Sequence, residues 1–172
     1  MNLRMLPWGK VALGAAALLL MATPTQFPDR WAKARLLHPK VQARFLALLK
    51  AIEARGYRVI LTSSYRAGGT DPHAYGLALD MNIIHVATGR HYGMHVGITA
   101  KEAWEATGVP TLIRSLGFRW GGDFVTPWRD LSGNLHAGYD PVHIDDCKRN
   151  PTAKLAARAA NLTDRRKVTL FA

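Results

Sequence analysis

A chain of 172 residues, 48% apolar and 20% charged, is long enough to bury one domain-sized core and too apolar to stay disordered. Its single cysteine, Cys147, excludes an intrachain disulfide and a cysteine-based metal site, and reads as a small structural residue. The formal net charge of +11 favours anionic surfaces, but the basic residues are scattered, with no aromatic-basic platform or recognition motif, which argues against nucleic acid as the partner.

The ends of the chain differ from its middle. Met1 to Lys10 carries Arg4 and Lys10 and no acid, and Val11 to Ala22 follows without a charge or a strongly polar group. This is the basic region and short apolar region of an export signal. The uncharged stretch runs on to Pro28, at the lower margin of the roughly 17–25 residues that cross a bilayer. We therefore divide the chain into residues 1–28, a signal peptide or weak membrane anchor, and a domain over 29–172. The protein is expected in the periplasm or cell envelope as a monomer, held at the inner membrane by its N-terminus where that segment is not cleaved. Losing residues 1–28 removes Arg4 and Lys10 and no acid, so the domain stays basic and suits acidic lipid or anionic wall polymer.

Pro39 to Arg55 is the strongest helix: Val41, Phe45, Leu48, Leu49 and Ile52 form one apolar face, and Gly56 stops it. Tyr57 to Thr62 alternates and is rich in β-formers, so it reads as a strand. Gly68-Gly69-Thr70-Asp71-Pro72 is a loop that delivers the chain to His73, and Leu77 to Ile84 reads as a second, mostly buried strand. Residues 85–97 show no period. Thr99 and Glu102 have the spacing of a capping box, opening a helix that breaks near Gly108-Val109-Pro110 and resumes to Leu116. Gly121-Gly122-Asp123 is a sharp turn, and a long loop with Pro127, Gly133 and Gly138 leads to a short strand, Val142-His143-Ile144. Pro151 opens a last helix to Asn161 as its first residue, and Arg165-Arg166-Lys167 reads as a solvated tail. Strands and helices do not alternate strictly, which favours an α+β domain.

His73 and Asp80 lie seven residues apart, and His143 follows sixty-three residues later. Two imidazoles and one carboxylate are a ligand set that zinc accepts with a fourth position left open for water. Asp80 sits among Leu79, Met81, Ile83 and Ile84, where a lone carboxylate is costly to desolvate unless a cation or hydrogen-bond partner offsets the cost; a strand position facing water is the alternative. Asp140, three residues before His143, is a carboxylate able to take a proton from that water. His38, His85, His91, His95 and His136 read as surface or loop histidines, and Gly93 argues against a helical His91–His95 ligand pair.

Four blocks in order, Ser63-Ser64-Tyr65-Arg66, His73-x6-Asp80 with Gly76 and Ala78 between, Trp120-Gly121-Gly122-Asp123, and Asp140-x-x-His143, resemble the M15 family of zinc peptidases. These are the D-Ala-D-Ala carboxypeptidase/dipeptidase and L-alanyl-D-glutamate endopeptidase group that cuts peptidoglycan stem peptides. The resemblance implies a Hedgehog/DD-peptidase-like fold, a small antiparallel sheet with flanking helices. It also implies one Zn2+ per chain on His73, Asp80 and His143, with Asp140 as general base. Arg66 is then expected to face the scissile carbonyl or a substrate carboxylate, with Ser64 and Tyr65 beside it and Trp120 shaping the pocket. An endolysin-like L-alanyl-D-glutamate endopeptidase is the preferred activity, a D,D- or L,D-carboxypeptidase or a non-catalytic wall-binding module the alternatives.

Overall fold

The computed structural model describes residues 27–94, 96–129, 135–136 and 138–171. The N-terminal stretch up to residue 26, His95 and Gly133 lie outside the described residues. Phe27, assigned to the leader by its lack of charge, is buried in the core. Among the described residues no helix is long and apolar enough to cross a membrane.

After a 3-10 segment, Asp29–Leu36, the elements are α1 Pro39–Glu53, β1 Tyr57–Ser63, β2 Ala78–His85, β3 His91–Tyr92, α2 Lys101–Glu105, α3 Val109–Ser115, β4 Arg119–Trp120, β5 Trp128–Arg129, β6 Leu135–His136, β7 His143–Asp145 and α4 Thr152–Ala159. The main sheet is antiparallel in the order β1-β2-β7-β4, with β3 pairing the far end of β2. This is an α+β fold around a small antiparallel sheet, as the sequence indicates.

The apolar face of α1 is buried as its spacing requires: Val41, Phe45, Leu48, Leu49 and Ile52 all lie in the core. Phe45 meets Phe118, from the segment before β4, at 4.7 Å between ring centroids. In β1, Tyr57, Val59 and Leu61 point inward and alternate with exposed residues. One continuous cluster of buried side chains runs from Phe27 to Leu170 and includes Trp31, Trp104 and Trp120.

Several local expectations are corrected. Thr99 does not cap α2: Ala100 holds the cap position without a side-chain bond, and the Thr99 carbonyl instead accepts from the Tyr139 hydroxyl at 3.1 Å. The long loop after Asp123 contains a hairpin, β5 with β6, whose two-residue strands are too short to show a period. Pro151 is the N-cap of α4, and the helix ends at Ala159.

His38 is not a surface residue; it caps α1, accepting from the Lys40 amide at 3.2 Å, and its Nε2–H donates to the Val168 carbonyl at 3.0 Å. Burial lowers its pKa, consistent with a neutral ring that accepts at one nitrogen and donates at the other. The run Arg165–Lys167 is a 3-10 turn and not a free tail. Arg165 donates to the Gly69 carbonyl and lies over the Tyr75 ring, and Arg166, clamped by Asp164, lies 4.1 Å above Tyr65. The C-terminal segment thus straps the loop that carries His73.

Candidate metal centre

His73 is delivered by a single 3-10 turn, Pro72–Tyr75, and each end of that turn is specified by sequence. Asp71 caps it, its carboxylate accepting from the Ala74 amide at 3.0 Å, and Pro72 supplies a pre-set φ at the first position. Gly76 ends it in the left-handed region at φ 67°, where a side chain would also meet the backbone nitrogen of His38. His73 is 1% exposed, and its Nδ1 bonds the carbonyl of Ser64.

Asp80 and His143 are brought together by strand register. They are direct partners across β2 and β7, while a shift between Leu61 and Ser63 places Ser63 opposite Asp80 on the other side. The result is a triangle of His73 Nε2, Asp80 Oδ1 and His143 Nδ1 with sides of 3.1, 3.1 and 3.2 Å. Tetrahedral zinc with ligand bonds of roughly 2.0–2.2 Å needs donor atoms about 3.3 Å apart, so the triangle has the right size.

The proton inventory of the triangle points to a cation. His73 Nδ1 faces a carbonyl and His143 Nε2 faces the Asp145 carboxylate at 3.0 Å, so each outward nitrogen carries the ring proton. In the neutral rings both inward nitrogens are then bare, and they converge with a carboxylate oxygen. Three acceptors this close repel one another unless a positive charge sits among them. Without a metal that charge is a proton: burial opposes a charged His143, but hydrogen bonds to Asp145 and Asp80 outweigh it and push its pKa up to about 10. For Asp80 burial raises the pKa, and the bonds from His143 and His73 more than reverse this, holding it far below the ordinary carboxylate range. One proton on His143 cannot satisfy His73 and Asp80 equally well, whereas a divalent ion bonds all three. The residues present fit zinc.

Asp140 stands at the head of the turn that leads into β7. The His143 amide donates to the Asp140 carbonyl at 3.1 Å, the Asp140 amide to the Gly121 carbonyl at 2.8 Å, and the Trp120 indole N–H to the Pro141 carbonyl at 2.8 Å. Asp140 Oδ1 is buried and has no hydrogen-bond partner among the described residues. Burial raises its pKa, with the negative Asp80 adding to the effect and the His143 charge opposing it. An unsatisfied carboxylate oxygen beside a candidate metal triangle is costly to fold. It is also what a general base needs.

The other expected site residues divide into two groups. Arg66 is tied to the His73 turn through its amide, which donates to the His73 carbonyl at 3.3 Å, and it pairs with Asp71 at 3.4 Å. Its Nε is buried without a partner among the described residues, so the guanidinium has an uncommitted donor. Tyr65 is partly exposed beneath Arg166. Ser64 and Trp120 instead work from behind the site. Ser64 is 4% exposed, with its hydroxyl on the Lys33 carbonyl. Trp120 is fully buried under the guanidinium of Arg114, which is itself held by Glu105 and Asp123. Neither presents surface to a substrate.

Two participants were missed from sequence. Asp145 buttresses His143, and the strand period of two places them on one face, which is the signal that was available. Gly121 is the second: a Cβ there would strike the Asp140 carbonyl and approach His143 Cβ at 2.9 Å. Gly121→Ala is therefore expected to destabilise the fold by about 1–3 kcal/mol through overpacking and to depress turnover by displacing the Asp140 turn. Thermal denaturation and a steady-state assay would check it, and a variant indistinguishable from wild type in both would remove Gly121 from the site.

His73, Asp80 and His143 are positioned to bind a metal ion, and the buried Asp140 Oδ1 without a partner lies on the turn that leads to His143. Residues 66–132 match the family model described as D-alanyl-D-alanine carboxypeptidase, an M15 group, and the match supports an M15-family peptidase. It includes Arg66, His73, Asp80 and Trp120 and ends before Asp140 and His143, which the sheet brings to the same place. No curated protein matches the chain.

Proposed function

We propose that the chain is a zinc-dependent hydrolase of peptide bonds in peptidoglycan stem peptides, an L-alanyl-D-glutamate-type endopeptidase of endolysin character acting outside the cytoplasm. The observation that carries the hydrolytic part is the triangle of three acceptors with the unpartnered Asp140 Oδ1 on the adjoining turn. The stem-peptide substrate rests on the M15 match and on the basic chain, which suits an anionic wall. Export and membrane association rest on the basic and apolar N-terminal sequence.

His73, Asp80 and His143 would hold the ion, which when bound acts as a Lewis acid and lowers the pKa of water to near 7. Asp140, with a free oxygen and a raised pKa, takes the proton from the attacking water and returns it to the leaving amine. Arg66, permanently charged and with an uncommitted N–H, binds the substrate carbonyl or a nearby carboxylate and stabilises negative charge developing on oxygen.

The description of the matched family favours a second reading, a carboxypeptidase that removes terminal D-alanine. Digestion of purified sacculi with zinc-loaded protein, followed by mass spectrometry, separates the two. Release of fragments cut between L-Ala and D-Glu supports the endopeptidase, and loss of single alanines supports the carboxypeptidase. Intact stems would sink both.

A further inference from the structure

Asp145 carries a charge where charge is expensive. It is 0% exposed, yet the β4–β7 pairing it supports would be held as well by two apolar residues, since a buried ion pair rarely out-stabilises a hydrophobic one. What an apolar residue cannot do is accept a hydrogen bond from an imidazole. We propose that Asp145 is a positioning residue of the metal centre, fixing His143 in the one tautomer and ring orientation that presents a bare Nδ1 to the metal. This rests on reading the site as a metallopeptidase centre.

The geometry ties Asp145 to His143 as well as to the strand pair. His143 Nε2 lies 3.0 Å from Oδ2. Arg119, its direct partner across β4 and β7, donates Nε to Oδ1 at 2.7 Å and an Nη2 proton to Oδ2 at 2.8 Å, and the Cys147 amide donates to Oδ1 at 2.8 Å. Each oxygen thus has two donors. The carboxylate can neither rotate away from His143 nor turn inward to become a fourth ligand, which would close the position that substrate and water need. Arg119 holds the carboxylate, the carboxylate holds the ring, and the ring aims its lone pair at the triangle. Asparagine can accept at only one of the two oxygen positions, and its NH2 must then face donors at the other.

The test is zinc affinity by competition with a chromophoric chelator, read alongside the tautomer of His143 from long-range imidazole 1H–15N correlations of the zinc-loaded protein. Asp145→Ala is expected to weaken zinc binding by about 10–100-fold, to broaden or shift the His143 ring signals, and to change the d–d spectrum of the cobalt-substituted protein. Asp145→Asn should fall between Ala and wild type, and it serves as the comparison if the alanine variant does not fold. Arg119→Met, which loosens the carboxylate but leaves His143 its acceptor, should lower the melting temperature and weaken zinc binding less than Asp145→Ala does. An Asp145 variant that is folded, binds zinc within twofold of wild type and keeps the Nε2–H tautomer would overturn the proposal alone. A wild-type protein that binds no zinc would overturn it together with the metal reading beneath it.

Discussion

Asp140→Asn is expected to cut the turnover of stem-peptide hydrolysis by about 10²–10⁴-fold while zinc stays bound, and at the same time to raise the melting temperature of the metal-free protein at neutral pH. Both effects come from one feature, a carboxylate oxygen buried without a partner. The sign follows from the direction of the shift. Burial, and then the charge of Asp80, raise the folded-state pKa of Asp140 above its ordinary 3.8. A group shifted upward contributes stability below the unfolded value, and that contribution is lost as pH rises through the folded value. At neutral pH the ionised carboxylate therefore opposes folding, and the amide, which has no charge to desolvate and can still accept from the Val142 amide, relieves it. The gap in melting temperature between variant and wild type should be small at pH 4 and open as pH rises. Unchanged turnover would remove Asp140 from the base role, and a variant less stable at every pH would show that its carboxylate is satisfied in a way the fold does not display.

How much of this was legible in the sequence depended on the range of the signal. The α1 face and the β1 alternation are local periodicities, and they folded as written. The candidate ligands His73, Asp80 and His143 were recognisable by residue type and spacing, but their convergence is a matter of strand register: Asp80 opposes His143 because β7 inserts between β2 and β4, an order no local pattern encodes. Trp120 had the opposite problem. Its place in a motif suggested a pocket wall, whereas the ring is wholly buried and serves by donating to the Pro141 carbonyl and so fixing the turn that carries Asp140. Likewise the run Arg165–Lys167 looked solvated by composition, because its partners Gly69, Tyr65 and Tyr75 lie about a hundred residues earlier. Charges in sequence carry no label saying whether their counterpart is water or a distant backbone carbonyl.

Zinc is expected to raise the melting temperature of the wild-type protein by about 8–16 °C when free zinc is a thousand times Kd, since mass action then adds about 4 kcal/mol and each kcal/mol shifts a chain of this size by about 2–4 °C. His143→Gln should remove the shift. Glutamine is the better substitution because its amide NH2 can still donate to one of the two carboxylates that His143 joins, whereas alanine donates to neither; Asp145 keeps Arg119 and the Cys147 amide in both variants. The pH dependence separates a metal site from a mere ion-pair cluster. In the metal-free protein, burial disfavours the His143 charge, but Asp145 and Asp80 outweigh it and raise the pKa from 6.5 to about 10. That stabilisation is complete below pH 6.5 and is lost as pH climbs through about 10. Zinc replaces the same proton, so its binding releases protons and tightens over that window. The metal-free protein should therefore lose melting temperature between pH 7 and 10 while the zinc-loaded protein loses little, and the gap between them should widen. In His143→Gln neither the slope nor the gap should appear. A wild-type protein whose melting ignores zinc across this range would leave His73, Asp80 and His143 as a proton-bridged structural cluster, and the hydrolytic reading would fall with the metal.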